Sequence, residues 1–202
     1  MELQKLNVKF FVAAAGQVPL TAFIDVFHSW IQASDGIYYD VADYSHVAAG
    51  PGVILIAYEA NIGIDETGGR RGLLYSRKQS LDGANRDKLR RVFKTALENC
   101  RRLEEEAALK GKIKFSGDEA LLIVNDQLLA PNTAETFSAV RPDLEELART
   151  LYGGADFSLL PDTQDPRKRF SVQIKSPRSI DVATLLNNLA EGDANFDQKN
   201  IS

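Results

Sequence analysis

The residues with the most versatile chemistry gather around one histidine. His46 stands in "DYSHVAAGPGVILIAYEANIGID", with Asp40 and Asp43 before it and Glu59 after it. In an extended segment alternate residues share a face, so Asp40, Ala42, Tyr44 and His46 fall together, opposite Tyr39 and Val41, which are expected to be buried. A carboxylate beside an imidazole can exchange protons with a substrate or supply two metal ligands. The chemistry this suggests is hydrolytic or metal-dependent, with Asp40, Asp43, His46 and Glu59 as candidates. The competing reading is a set of ordinary polar residues on a strand and loop. His28, the other histidine, lies at the edge of an apolar helical stripe on a separate element, so no complete metal site is expected.

The glycines of the same stretch pose a second question. A loop that cradles phosphate follows a strand and opens a helix, so that free N–H groups and the positive helix end meet the anion. Gly50-Pro51-Gly52 instead precedes an apolar strand, and its proline removes one donor. No Lys-Ser/Thr follows, which excludes a Walker-type loop. The expected role is a turn into a central strand.

A third group is basic. Arg70, Arg71, Arg77, Lys78, Arg86, Lys88, Arg90, Arg91 and Lys94 are opposed only by Asp82 and Asp87, in a chain whose net charge is −4. The helix expected from about 85 to 108 therefore starts basic and ends on Glu104, Glu105 and Glu106. Helix dipoles favour the opposite arrangement, by about 0.3–1 kcal/mol per exposed charge. Three compensations suggest themselves. A small phosphate or carboxylate ligand could be held by Arg70, Arg71, Arg77, Lys78, Ser80 and Arg86. Two copies of the helix could pack antiparallel, setting Arg86, Arg90 and Arg91 against Glu104, Glu105 and Glu106 of the other. Pairs such as Asp87–Arg91 and Glu98–Arg102 within one solvated helix could also relieve the charge.

Other chemistries are excluded by their missing signatures. The chain has no His-Glu-x-x-His, no Cys-x-x-Cys and no Gly-x-Ser-x-Gly. Its single cysteine, Cys100, falls within an apolar stripe, as a packed thiol would, and rules out an internal disulfide framework. A pI near 5.3 argues against a general polyanion binder, and only Tyr75 interleaves the basic residues, so nucleic acid is not an expected partner. No cofactor is expected.

The elements that must position these residues follow from periodicity. "KLNVKFFVAAAG" alternates as a strand and is too short in its apolar run for a signal peptide. "VPLTAFIDVFHSWIQ" has helical spacing at Leu20, Phe23, Ile24, Phe27 and Ile31. "GIYYDVADY" reads as a strand burying Ile37, Tyr39 and Val41, and "VILIAYEANIGID" as one long apolar strand. A loop around 65–69 joins the latter to "RGLLYSRK". The long helix buries Leu89, Val92, Phe93, Ala96, Leu97, Cys100 and Leu103. "KIKFSGDEALLIVND" reads as a hairpin turning at 116–118. "APNTAETFSAV" opens a helix with Asn132 as N-cap, kinked or restarted at Pro142 and stopped by Gly153. "RFSVQIK" is a strand and "DVATLLNNLAEG" the last helix.

This order, βαβ-ββα-ββα-(β)βα, is α+β, with helices packed on a mostly antiparallel or mixed sheet. One domain over 1–192 is expected, with a soft division near 110 and a disordered tail over 193–202. "DVADYSHVAAGPGVILIAYEANIGID", "GLLYSRK" and "LAPNTAETF" resemble an uncharacterised bacterial protein family, over roughly Val8 to Leu189. That resemblance implies a bacterial, soluble, cytoplasmic protein and brings no catalytic residues. No run approaches the ~18–20 apolar residues of a membrane span. The expectation is a binding or assembly module, a homodimer through the long helix. A small-anion binding protein and a hydrolase or metal-dependent enzyme are the alternatives, and the balance leans away from an enzyme.

Overall fold

The computed structural model describes residues 1–13 and 18–199, those from 192 onward by backbone alone. Along it run β1 (Leu6–Val12), α1 (Thr21–Ala33), β2 (Tyr38–Tyr44), β3 (Gly52–Ala57), β4 (Ala60–Asp65), β5 (Gly72–Arg77), α2 (Asn85–Glu105), β6 (Phe115–Val124), α3 (Ala134–Leu151), β7 (Ser158–Pro161), β8 (Ser171–Lys175) and α4 (Val182–Lys199). The strands make one sheet in the order β2-β3-β4-β5-β1-β6-β8-β7, and every neighbouring pair is antiparallel. The α+β class expected from the sequence is the architecture found.

The helices share one side of this sheet. α2 packs on β1 and β5, α1 on β2 and β3, α4 on β6 and α3 on β7, while α2 also touches α3 and α4. Trp30 of α1 donates to Glu106 just beyond α2 and stacks under Arg102, which ties α1 to the same layer. Alternate strand residues point into this layer: Val8 and Phe10, Val53 and Leu55, Leu73, Leu122 and Val172 are all buried. The apolar stripe expected on α2 is the one found, and Phe93 meets Phe10 edge-on at 6.0 Å. Cys100 lies in that core, where burial pushes its thiol well up and leaves it un-ionised.

Two strand assignments change, and they cancel in the strand count. "VILIAYEANIGID" is a hairpin, with β3 and β4 joined at Tyr58-Glu59 and Leu55 opposite Ile62. Its turn carries none of the usual Gly or Asn, so no residue type marks the break. "KIKFSGDEALLIVND" is the reverse case: no hairpin turns at 116–118, and Phe115–Val124 is one strand. The register with β1 slips there, and Gly117 donates its N–H to the carbonyl of Ile180. A Cβ at Gly117 would lie 2.4 Å from that oxygen. The Ser-Gly-Asp signal therefore encodes a bulge and a close approach, which use the same residues as a turn.

Three smaller expectations also change. Val41 turns to the core as expected, but Ile37 and Tyr39 are 62% and 56% exposed, because a register slip between Tyr38 and Asp40 turns Tyr38 to the core in place of Tyr39. Thr133, not Asn132, caps α3, its hydroxyl accepting from Thr136 N–H at 3.3 Å. Asn132 is buried and donates to the carbonyls of Asp162 and Asp165. Pro142 neither ends nor restarts α3. Pro142 and Ser138 are both exposed, so the Ser138 carbonyl that loses its N–H partner faces solvent. Gly153 and Gly154, both at positive φ, do follow the helix end. The segment from Asp193, expected as a tail, continues the α4 backbone to Lys199, and residues 200–202 lie outside the described residues.

Candidate functional site

Strand register fixes which side chains stand together on the side away from the helices. In one row across β3, β4, β5, β1 and β6 the partners are Ile56, Asn61, Ser76, Asn7 and Ile123. In the next row they are Ile54, Gly63, Leu74, Lys9 and Leu121. A third row brings Asp65 opposite Gly72, with Phe11 beside it on β1. The isoleucines and leucines of these rows are only half-buried, whereas their neighbours on the helix side are fully buried. Among the described residues no helix lies over this face.

At its centre is a buried ion pair. Lys9 and Asp65 are 3% and 4% exposed, and the Lys9 Nζ meets Asp65 Oδ2 at 2.5 Å. They belong to β1 and β4, with β5 between them. Lys9 crosses because β5 carries Gly72 at that point: a Cβ there would lie 2.9 Å from Lys9 Cε and 2.4 Å from the Phe10 carbonyl. Asp65 also accepts from the Thr67 hydroxyl at 2.7 Å and the Thr67 N–H at 3.2 Å, so it holds the β4–β5 loop. Beside it, Arg70 lies 3.8 Å over the Phe11 ring and makes two hydrogen bonds to Glu119. Burial works to raise the Glu119 carboxyl, but Arg70, Gln173 and Lys175 outweigh it and hold that carboxyl below its usual range. Asn7 is buried on the same face, and Asn61 Oδ1 is buried without a hydrogen-bond partner.

The sequence-predicted acid–base set is dispersed. Asp40, Asp43 and His46 are exposed. Asp40 accepts from the N–H of Val41, and Asp43 from that of Ser45; the Ser45 hydroxyl first and its N–H second hold the Asp43 carboxyl low. Asp40 pairs with Ile56 near the β3–β4 turn, while His46 follows the other end of β2, about 20 Å along an extended chain. Glu59 lies at the β3–β4 turn and pairs with Arg77 at 2.6 Å. Among the described residues no three His, Cys, Asp or Glu are grouped as metal ligands.

The basic set is divided too. Arg70 and Arg71 precede β5, whereas Arg77, Lys78 and Ser80 lie at or beyond its other end. Arg71 pairs with Glu66 and donates to the Val18 carbonyl, Arg77 pairs with Glu59, and Arg86 lies 3.7 Å from both Asp87 and Glu146. A shallow cleft of about 500 Å³ lined by Val18, Pro19, Ala22, Ala108, Leu109 and Lys112 contains none of the singled-out residues.

The reversed charge of α2 is met largely within the chain. Lys88, buried, pairs with Glu2 at 2.7 Å, and Arg90 donates to the Leu189 carbonyl. Glu104 accepts from the Phe115 N–H at 2.7 Å and pairs with Lys114 at 3.0 Å, while Glu106 accepts from Trp30. Arg91 and Glu105 are exposed. Glu104→Ala is expected to cost about 1–3 kcal/mol, since it strands a part-buried N–H, and Glu105→Ala under about 0.5 kcal/mol. Urea unfolding of the two variants side by side measures that difference.

No family model matches the chain, and no curated protein or solved structure matches it. Among the described residues no helix is long and apolar enough to cross a membrane. The reading of function therefore rests on this chain's own residues. The face just described had a signal in the sequence. "VILIA", "GLLY" and "ALLIV" are apolar at successive positions, the pattern of strands covered on both sides, whereas a one-sided sheet alternates with polar residues.

Proposed function

We propose that this protein is an assembly module that forms a homodimer through the helix-free face of its sheet. The observation that carries this reading is the mismatch between strand composition and layers. β3, β5 and β6 carry apolar residues on both sides, Ile54 and Ile56, Leu74, and Leu121 and Ile123 being those on the second, yet among the described residues helices cover only the first. A second copy supplies the missing layer in kind.

The five strands β3, β4, β5, β1 and β6, about 4.8 Å apart, with three rows of side chains about 7 Å apart, give roughly 500 Å² per copy. That is about 1,000 Å² for the pair, at the lower bound for a specific interface. Half-buried apolar residues at Ile54, Leu74 and Leu121 flank the buried Lys9–Asp65 pair, and charged groups stand toward the rim at Asp40, Arg70 and Lys175. The long helix is less suited to this task, because Glu104 and Glu106 are already engaged. The small-anion reading has less support, since its arginines have carboxylate partners at two ends of β5, and the acid–base reading less still, since its residues are spread.

Ile54→Glu is expected to leave the fold intact, as Ile54 is half-buried, and to convert a dimer into a monomer in native mass spectrometry and light scattering. A wild-type chain that stays monomeric at high micromolar concentration would remove this reading.

A further inference from the structure

Strand order leaves β2 at one edge of the sheet, paired among the described residues with β3 alone. Backbone bonding alternates along an antiparallel pair, so its phase carries from strand to strand. Lys78 donates its N–H to the Glu59 carbonyl, which assigns Asn61, Gly63 and Asp65 of β4 to β5. Ile62 and Ile64 then bond to Leu55 and Val53, and Ile56 and Ile54 to Asp40 and Ala42. Val41 and Asp43 are left with their N–H and C=O groups pointing outward, where an open edge offers them to another chain. The Val41 N–H agrees with this phase: it meets Asp40 Oδ1 at 2.8 Å.

The surroundings of this edge are distinctive. Among the described residues, five of the nine exposed large hydrophobics flank it, Ile37, Tyr39 and Tyr58 at one end and Tyr44 and Val47 at the other. Between the two groups Asp40–Tyr44 is about 14 Å of regular strand. Open edges are commonly guarded by lysine. Here the sequence has no Lys or Arg between Lys9 and Arg70, and Asp35, Asp40 and Asp43 are exposed. Arg102 reaches the Tyr38 hydroxyl from the helix side, where it is stacked over the Trp30 ring.

We propose that β2 is a docking edge for an extended basic segment of another protein, which adds to the sheet as a further strand. Such addition draws its affinity from main-chain hydrogen bonds and its specificity from alternate side chains. Asp40 sets the charge. An incoming strand needs the Val41 N–H, and Asp40 Oδ1 already holds it. A neutral segment must break that bond without return, whereas an arginine or lysine opposite Asp40 takes the carboxylate as the N–H passes to the new strand. Toward an added strand Asp40 occupies a position that exchanges no backbone bonds, where opposite Cα atoms approach to about 4.5 Å and side chains meet most closely. Asp43 lies three residues on and on the other side of the sheet, so it favours a second cation three residues from the first. A second copy's β2 fits poorly, because it would bring Asp35, Asp40 and Asp43 against themselves with no cation between. The edge is separate from the helix-free face, so this docking stands whether or not that face forms a dimer.

The probe is a labelled peptide of valine and threonine with two arginines three residues apart, compared with versions carrying glutamine or glutamate in their place. Fluorescence anisotropy is expected to rank the arginine peptide about tenfold tighter than the glutamine peptide, with the glutamate peptide unbound. Amide exchange is expected to slow at Val41 and Asp43 when the arginine peptide is added. Asp40→Ala frees the Val41 N–H, so it is expected to bind the glutamine peptide more tightly than wild type and to lose most of the preference for arginine. Asp40→Lys with Asp43→Lys is expected to reverse the preference toward glutamate. Both residues are exposed, and circular dichroism of each variant is expected to match wild type. No binding of the arginine peptide at ~1 mM overturns the proposal. Binding that leaves exchange at Val41 and Asp43 unchanged overturns the added strand, and binding indifferent to the double lysine variant overturns the selection of charge. Protection of those two amides without peptide, rising with protein concentration, overturns the proposal in favour of a second copy at this edge.

Discussion

Asp65→Asn is expected to destabilise the protein by about 3–5 kcal/mol, although it changes one oxygen to one nitrogen. Asp65 and Lys9 are both nearly inaccessible, and their contact is 2.5 Å. Two buried charges side by side gain little over a well-packed apolar pair, because each loses its hydration. Removing one charge is a different matter: the amine of Lys9 then has only the Thr67 carbonyl, at 3.4 Å, to replace its carboxylate. The amide at position 65 keeps one oxygen for the Thr67 hydroxyl, but its nitrogen replaces the Oδ2 that accepted both the Thr67 N–H and the Lys9 amine, so part of the loop contact is lost with the charge. Lys9→Met in the same chain is expected to recover most of the stability, since it removes the stranded amine and keeps the stem that crosses Gly72. At about 2–4 °C per kcal/mol for a chain of this size, the single variant melts roughly 6–20 °C lower and the double variant within a few degrees of wild type. All three are compared at one protein concentration, because any self-association would add to apparent stability. A loss under about 1 kcal/mol for Asp65→Asn would show that Lys9 reaches water on this face.

This centrepiece was out of reach of the sequence for a definite reason. Lys9 alternates with Val8 and Phe10 as a polar residue should, and Asp65 ends an apolar strand before a Thr-Gly-Gly turn, so each taken alone looks like a surface residue. Only the order β4-β5-β1 brings them within reach across a single intervening strand, and strand order depends on contacts far apart in sequence. Local signals did better. The stripe of α2 from Leu89 to Leu103 was legible because a 3.6-residue apolar period sustained over several turns fits a helix and no strand or loop. The Tyr58-Glu59 turn escapes the sequence because it carries no turn residue, and the Gly117 bulge reads as a turn because bulges and close approaches draw on the same small set of residues as turns. The reversed charges of α2 were a real signal, but their partners Glu2, Lys114 and Trp30 lie on other elements, where helix-local reasoning does not look.

Gly52→Ala should be among the most damaging small substitutions in the chain, with a loss of at least about 3 kcal/mol. Two costs add. Gly52 has φ +65°, where an alanine costs about 1–2 kcal/mol. A Cβ would also lie 1.9 Å from the Ile64 carbonyl oxygen, and that oxygen is backbone in the neighbouring strand, which cannot rotate away. Gly68 separates the two effects. It has φ +76° with nothing within 4 Å of a Cβ, so Gly68→Ala registers the conformational cost alone, about 1 kcal/mol. The excess of Gly52→Ala over Gly68→Ala in urea unfolding measures the close approach of β3 to β4. The Gly-Pro-Gly turn is thereby given its purpose. Gly50 accepts the Glu66 N–H on its carbonyl, and Gly52 lets the next strand start directly against Ile64, so the turn sets the entry of β3 into the sheet. A phosphate loop would respond in another way, losing a ligand while the fold survived. If Gly52→Ala unfolds as readily as Gly68→Ala and no more, the turn is free for some other task. A large excess ties it to holding Ile54 and Ile56 in the row where the sheet face needs them.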